Sequence, residues 1–128
     1  MRAKEVASKD WETFCRRISE LRHEATVTIE IVRPDGQRDH IARNVPLQQM
    51  KFEISPGCSD QLRIDVGADG EKPTSHVIVE PIHLILRPAD EESFNPLEIA
   101  AESGTTLVSF RPALRANLVE GMVTAGGR

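Results

Sequence analysis

Asn95-Pro-Leu97-Glu-Ile99-Ala-Ala-Glu102-Ser103-Gly104-Thr105-Thr-Leu107-Val108-Ser-Phe110-Arg-Pro112 is the most legible stretch of this chain. Two short runs with period-2 alternation flank Ser103-Gly104. A two-residue loop containing glycine suits the primed turns that match the twist of paired strands. With Ser103 and Gly104 as the loop, Glu102 faces Thr105, Ile99 faces Val108 and Leu97 faces Phe110. Those four apolar residues then share one face, and Glu98 and Ser109 share the other. Turn chemistry and alternation agree, so the stretch reads as a β-hairpin with one face in a core. It names no reaction.

The rest of the chain extends this pattern. The sequence has 128 residues, 39% hydrophobic and 28% charged. That is one domain by length, with the composition of an ordinary globular protein. No apolar run approaches the ~20 residues of a membrane-spanning helix. The first ten residues hold charge and no apolar signal core, so the expectation is a cytoplasmic protein that does not engage a membrane. Cys15 and Cys58 are far apart and form no Cys-x-x-Cys pair, which suits free thiols in a reducing compartment. A formal charge of −4 disfavours a nucleic-acid partner.

Residues 1–7 read as a solvated, flexible lead-in. Ser8 is an N-cap candidate, and Trp11, Phe14, Cys15, Ile18 and Leu21 recur at helical spacing, predicting an amphipathic helix over 8–23. Alternating segments then predict strands over about 26–33, 37–45, 49–55, 60–67, 75–80, 82–87, 96–102 and 105–111. In the first connection, Arg33-Pro-Asp-Gly-Gln37, a three-residue loop with a bulge at Gly36 sets Ile29 opposite Ile41 and His40 opposite Glu30. A two-residue loop would instead set Ile29 against Ala42. Asn44-Val-Pro-Leu47 reads as a kink between two strands, and 55–58 as a type II turn. Residues 88–93 form an acidic loop. After Pro112, Leu114, Leu118 and Met122 recur every fourth residue, so 113–128 is either a short helix or a disordered tail. The expected fold is mainly β (α+β). It is an antiparallel meander of seven or eight strands forming a barrel or a two-layer sandwich, with the N-terminal helix packed on it.

The candidate chemistry is thin. His23, His40, His76 and His83 have no metal-ligand spacing, and neither Cys nor carboxylate completes a zinc or facial-triad set. No cofactor or metal is therefore expected. His76 opens a strand beside a polar loop, so a small-ligand or hydrolytic site there would use His76 with Glu80 or Asp65. Asp65 to Gly70 begins like a calcium loop, but Gly67 holds the third position and His76 the twelfth, where a bidentate Glu is needed. Arg33, Arg38 and Arg43 could form a basic strip. There is no Tyr, and the Phe and Trp residues fall at core positions, which leaves no stacking platform for nucleic acid.

One resemblance emerges from these residues. Trp11 and Phe14 on a first helix, Val27-Thr-Ile-Glu30, Val45-Pro-Leu47, His76-Val-Ile with Pro81, and the ending Leu97-Glu-Ile99, Ser103-Gly104, Thr106-Leu-Val and Phe110-Arg111 form an ordered set over 11–112. The set resembles a bacterial family of small domains of unknown function. The resemblance implies a single bacterial domain and carries no functional residues with it. The reading from sequence is a non-catalytic binding or protein-interaction module, with self-association through a sheet edge or the terminal helix as its expected form. The alternatives are an enzyme site near His76 or a nucleic-acid-binding small barrel.

Overall fold

The structure is a computed structural model that describes residues 4–20, 25–54, 59–68, 72–86 and 97–111. Its strands are β1 (Lys4–Glu5), β2 (Thr26–Val32), β3 (Arg38–Glu53), β4 (Gln61–Val66), β5 (Thr74–Val79), β6 (Pro81–Leu86), β7 (Leu97–Ala101) and β8 (Gly104–Arg111), with helix α1 (Trp11–Ser19) after β1. All pairings are antiparallel, in one sheet of order β1-β6-β7-β8-β2-β3-β4-β5. The fold is mainly β with one N-terminal helix, as its alternation predicts. It is not a simple meander, because β8 returns to lie beside β2. It is also not a barrel: the terminal strands β1 and β5 pair only with β6 and β4 among the described residues.

The long strand β3 gives the sheet its shape. Its first half pairs with β2 and its second half with β4. Between them Asn44 takes φ +50, and registers slip at Val27/Ile29 and at Leu47/Gln49. Bulges bend a strand and increase its twist, so the expected break at 44–47 is a bend within one strand. The half-sheet β3-β4-β5 therefore folds over the half-sheet that runs from β6 to β2. Val27, Ile29, Leu84, Leu97, Ile99, Val108 and Phe110 from one half share a single core with Met50, Phe52, Leu62, Ile64, Val66 and Ile78 from the other. A second corner, at Glu80 (φ +51) and Pro81, returns the chain from β5 to β6.

Helix α1 closes the side where β3 has left β2. Trp11, Phe14, Cys15 and Ile18 are buried, as their spacing predicts. The Trp11 ring meets Phe52 edge-on, with centroids 5.4 Å apart. Ser19 Oγ accepts the Met50 N–H at 2.9 Å and lies 2.9 Å from Met50 O, satisfying the strand edge that β2 no longer covers. The expected helix start at Ser8 is instead a 3₁₀ turn, Ser8–Asp10. Residues 21–24 lie outside the described residues, as do 55–58, 87–96 and 112–128. The expectations for Leu21, His23, Cys58, the acidic loop and the terminal segment fall there.

Three further expectations are corrected. Residues 4–6 are not a solvated lead-in: Lys4 and Glu5 pair with β6, and Val6 is buried, its N–H bonding Leu84 O at 2.8 Å. The hairpin β7–β8 turns at Glu102-Ser103, so Ala101 faces Gly104, Ile99 faces Thr106 and Leu97 faces Val108. The register is two residues from the expected one. Because side chains alternate with period two, every residue keeps its face, and Leu97, Ile99, Val108 and Phe110 are all fully buried. Gly104 is needed for close approach rather than for the turn. At φ +145, a Cβ on it would lie 2.8 Å from Val32 O. In the β2–β3 hairpin, the three-residue loop forms with Gly36 at φ +91, and Glu30 faces His40. A bulge then sets Ile29 opposite Ala42 and leaves Ile41 39% exposed.

Candidate functional site

The three residues singled out for a site do not converge. His76 lies opposite Ile64 on the inward face, where Nε2 is 3.2 Å from Thr106 Oγ1 of β8 across the core. Burial lowers its pKa below the ordinary imidazole value. Asp65 is one residue along β4 from Ile64 and so points to the other face. There it is almost covered, accepting hydrogen bonds from Gln49 Nε2 at 2.9 Å and Ser75 Oγ at 2.6 Å. Arg63 Nε is 3.3 Å away, in an ion pair without hydrogen-bond geometry. These partners make Asp65 a pin between β3, β4 and β5. Glu80 is exposed at the corner after β5, its carboxylate accepting from Ser59 Oγ at 3.1 Å.

The other candidates are held in pairs or buried. His40 lies 3.8 Å from Glu30, and His83 Nδ1 lies 2.8 Å from Glu5 Oε2, far from the inward-facing His76. Arg33 pairs with Asp39 and Arg38 with Glu30, so two of the three residues of the basic strip are countered by acids. Cys15 is buried, and desolvation, with Glu12 second, pushes its thiol up to about 12. A thiol so held stays protonated at neutral pH and is a poor nucleophile. Among the described residues no group of three His, Cys, Asp or Glu could hold a metal ion, and no helix is long and apolar enough to cross a membrane.

Hollows among the described residues include a groove and a smaller cup. The groove, of about 560 Å³, runs between α1 and the second half of β3, lined by Glu12, Cys15, Ser19, Met50, Lys51 and Phe52. The cup, of about 200 Å³, lined by Thr26, Thr28, Asn44, Ser109 and Arg111, lies on the outer face of β8-β2-β3. In the groove the Cys15 thiol is held protonated by burial, and Ser19 Oγ is engaged by the backbone of Cys15 and Met50.

The most unusual surface is the edge of β5, which no described strand covers. The Glu80 N–H bonds Asp60 O at 2.8 Å, extending the ladder that pairs Gln61 with Val79. In an antiparallel ladder hydrogen-bonded pairs alternate with non-bonded ones. The even-numbered residues of β5 therefore bond β4, and Ser75, Val77 and Val79 aim their N–H and C=O groups away from the sheet. The side chains of Val77 and Val79 lie on the outer face at 42% and 47% exposure. Exposed edges normally carry charge, proline or a bulge against unwanted pairing. Within its bounds β5, Thr-Ser-His-Val-Ile-Val, has none of these. Reasoning from sequence missed this surface because alternation predicts a strand but not its place in the sheet. The available signal was composition: β5 and β6 are the strands without a charged residue, and β6 is flanked on both sides.

The model of a family described as a family of unknown function (DUF5335) matches residues 2–119. No curated protein and no solved structure matches the chain.

Proposed function

The chain belongs to this family of unknown function, and because membership assigns no activity, we propose from the geometry that it is a non-catalytic protein-interaction module. It works by adding an extended strand of a partner to β5. The observation that supports this is the uncharged β5 edge, with three outward-aimed peptide groups beside two exposed valines. Strand addition draws affinity from main-chain hydrogen bonds and selectivity from alternate side chains, and β5 offers both. The separation of His76, Asp65 and Glu80 supports a binding role over an acid–base one. A free, buried thiol at Cys15 suits the reducing cytoplasm as the place of action.

The test is selection of extended peptides from a displayed library on the wild-type protein, with binding then measured against Val77→Pro. Proline removes the central outward donor and is tolerated on an edge strand. The expected result is a loss of affinity of about tenfold or more, with amide shift changes in the wild type at residues 75, 77 and 79. Peptides that bind Val77→Pro equally well, or that shift the α1–β3 groove instead, overturn the proposal.

A further inference from the structure

We infer that the strand added to β5 is β5 of a second copy, paired antiparallel about a two-fold axis at Val77; this rests on the reading of β5 as a docking edge. The register follows from the sequence around the edge. A hydrogen-bonded antiparallel junction must set outward-aimed residues opposite one another. Centred on Val77, the pairing places Val77 against its own copy and Ser75 against Val79 of the other chain at both ends. All three outward residues of each chain then exchange both of their bonds.

The prolines define the limits of this junction. Pro73 lies four residues before Val77, with the parity that aims outward, and the corner at Glu80 (φ +51) and Pro81 lies just past the other end of β5. In the centred register Pro73 of each copy meets the corner of the other, and the ladder ends there at each side. A one-step slip of the axis toward the N-terminus sets Val79 against Pro73, and a one-step slip the other way carries Ser75 past the end of the other copy's β5, to Pro81 at the corner. Either slip loses a donor, since proline has no N–H. The stretch Pro73-Thr-Ser-His-Val77-Ile-Val-Glu-Pro81 therefore favours one symmetric register, as a closed two-fold contact requires.

Side chains fit the same symmetry. On the outer face the two Val77 side chains meet on the axis, and each Val79 sits diagonal to the partner's Val77. This turns the exposed valines of each copy into one apolar strip. Lys72 and Glu80 are both exposed and flank the uncharged strand on opposite sides. Lys72 and Glu80 fall at opposite ends of each β5, so the two-fold axis brings Lys72 of one copy to the same end as Glu80 of the other, at both ends. A two-fold axis joins opposite charges here, whereas a parallel arrangement of the two strands would oppose like charges.

Light scattering on the eluting full-length protein reads the result. The expected mass is twice the 14.2 kDa of one chain at tens of micromolar. Val77→Lys sets two like charges opposite each other and raises the dissociation constant by about tenfold or more. Lys72→Glu and Glu80→Lys each weaken association by roughly two- to fivefold per end. The double variant, Lys72→Glu with Glu80→Lys, restores wild-type association, because it exchanges the two charges. A heterologous partner strand gives no such rescue. Thermal melts of each variant confirm that the domain is folded. A wild-type mass of one chain over the whole range, or a dimer that Val77→Lys leaves intact, overturns the inference. If the protein is a monomer that still binds peptides at residues 75, 77 and 79, self-pairing alone has failed. If it binds none, the docking edge has failed with it.

Discussion

The two ends of the sheet are finished in opposite ways. At one end the edge of β6 is covered by β1, only two residues long and charged, followed by the buried Val6. Glu5 reaches His83 on β6 at 2.8 Å, and Trp11 Nε1 donates to Val6 O at 2.8 Å, so α1 helps to hold the cover in place. At the other end β5 has six residues, no charge and no cover among the described residues. Short, charged edge strands are how proteins prevent sheet-to-sheet association. On the proposed reading, a chain that protects the first edge and leaves the second uncovered among the described residues makes its contact at the second. The fold's stability should therefore be sensitive to changes at the covered end and indifferent to changes at the open one.

The largest effect is expected at Val6. Its N–H and C=O are both used and its side chain is buried. Val6→Asp places an unpartnered carboxyl group against the core and should cost about 3–5 kcal/mol, read as a shift of the urea midpoint. With β1 displaced, the edge of β6 becomes available, so turbidity on heating should also rise. A loss below about 1 kcal/mol would mean that β1 is not a structural cover, and the contrast between the ends would vanish.

Next is Gly104, inside the covered half. Gly104→Ala drives a Cβ to within 2.8 Å of Val32 O at a φ of +145, where neither backbone can easily yield. The expected loss is about 2 kcal/mol or more. Gly36→Ala is the control: φ is +91 but no atom lies within 4 Å, so only the torsional cost of about 1 kcal/mol applies. Equal losses would show that the approach of β2 to β8 is looser than described.

These glycines also show what was legible in the sequence. Alternation assigned faces correctly in the β7–β8 hairpin because a face depends only on parity. It misplaced the turn because it took Gly104 for a loop residue, when a neighbouring carbonyl explains that glycine. Local turn chemistry does not encode the third strand that presses on a hairpin. The same limit explains Val6. Six charged or polar residues lie among the first ten, and nothing in their order signals that Val6 docks beside Leu84, nearly eighty positions later. His76, Glu80 and Asp65 were grouped by nearness in sequence, but His76 and Asp65 point to opposite faces of β4-β5, and Glu80 sits beyond a corner. The β5 edge was invisible because strand order is a long-range property. Its composition was in plain view.

A smaller effect concerns His76, on the open half but facing inward. Burial lowers its pKa, so the unfolded chain binds the proton more readily than the folded one. Stability is then independent of this group above the unfolded value of about 6.5, and falls as pH drops below it toward the depressed folded value. The melting temperature of the wild type should fall more steeply between pH 7 and pH 5 than that of His76→Gln. Parallel curves would mean that the imidazole is solvated and that the two half-sheets are not closed over it.

The smallest effect is the most informative about the edge itself. Val77→Lys, read at concentrations low enough to hold the protein as a monomer, should change unfolding free energy by no more than about 0.5 kcal/mol. The side chain is 42% exposed on the outer face, its stem can lie along Val79, and its charge remains in water. A charge at this position is therefore compatible with the fold, so its absence from β5 is not required by folding. On the proposed reading, what it opposes is association. If Val77→Lys instead destabilised the monomer by 1 kcal/mol or more, the uncharged composition of β5 would have a structural cause within a single chain, and the contrast between the two ends of the sheet would no longer point to a partner.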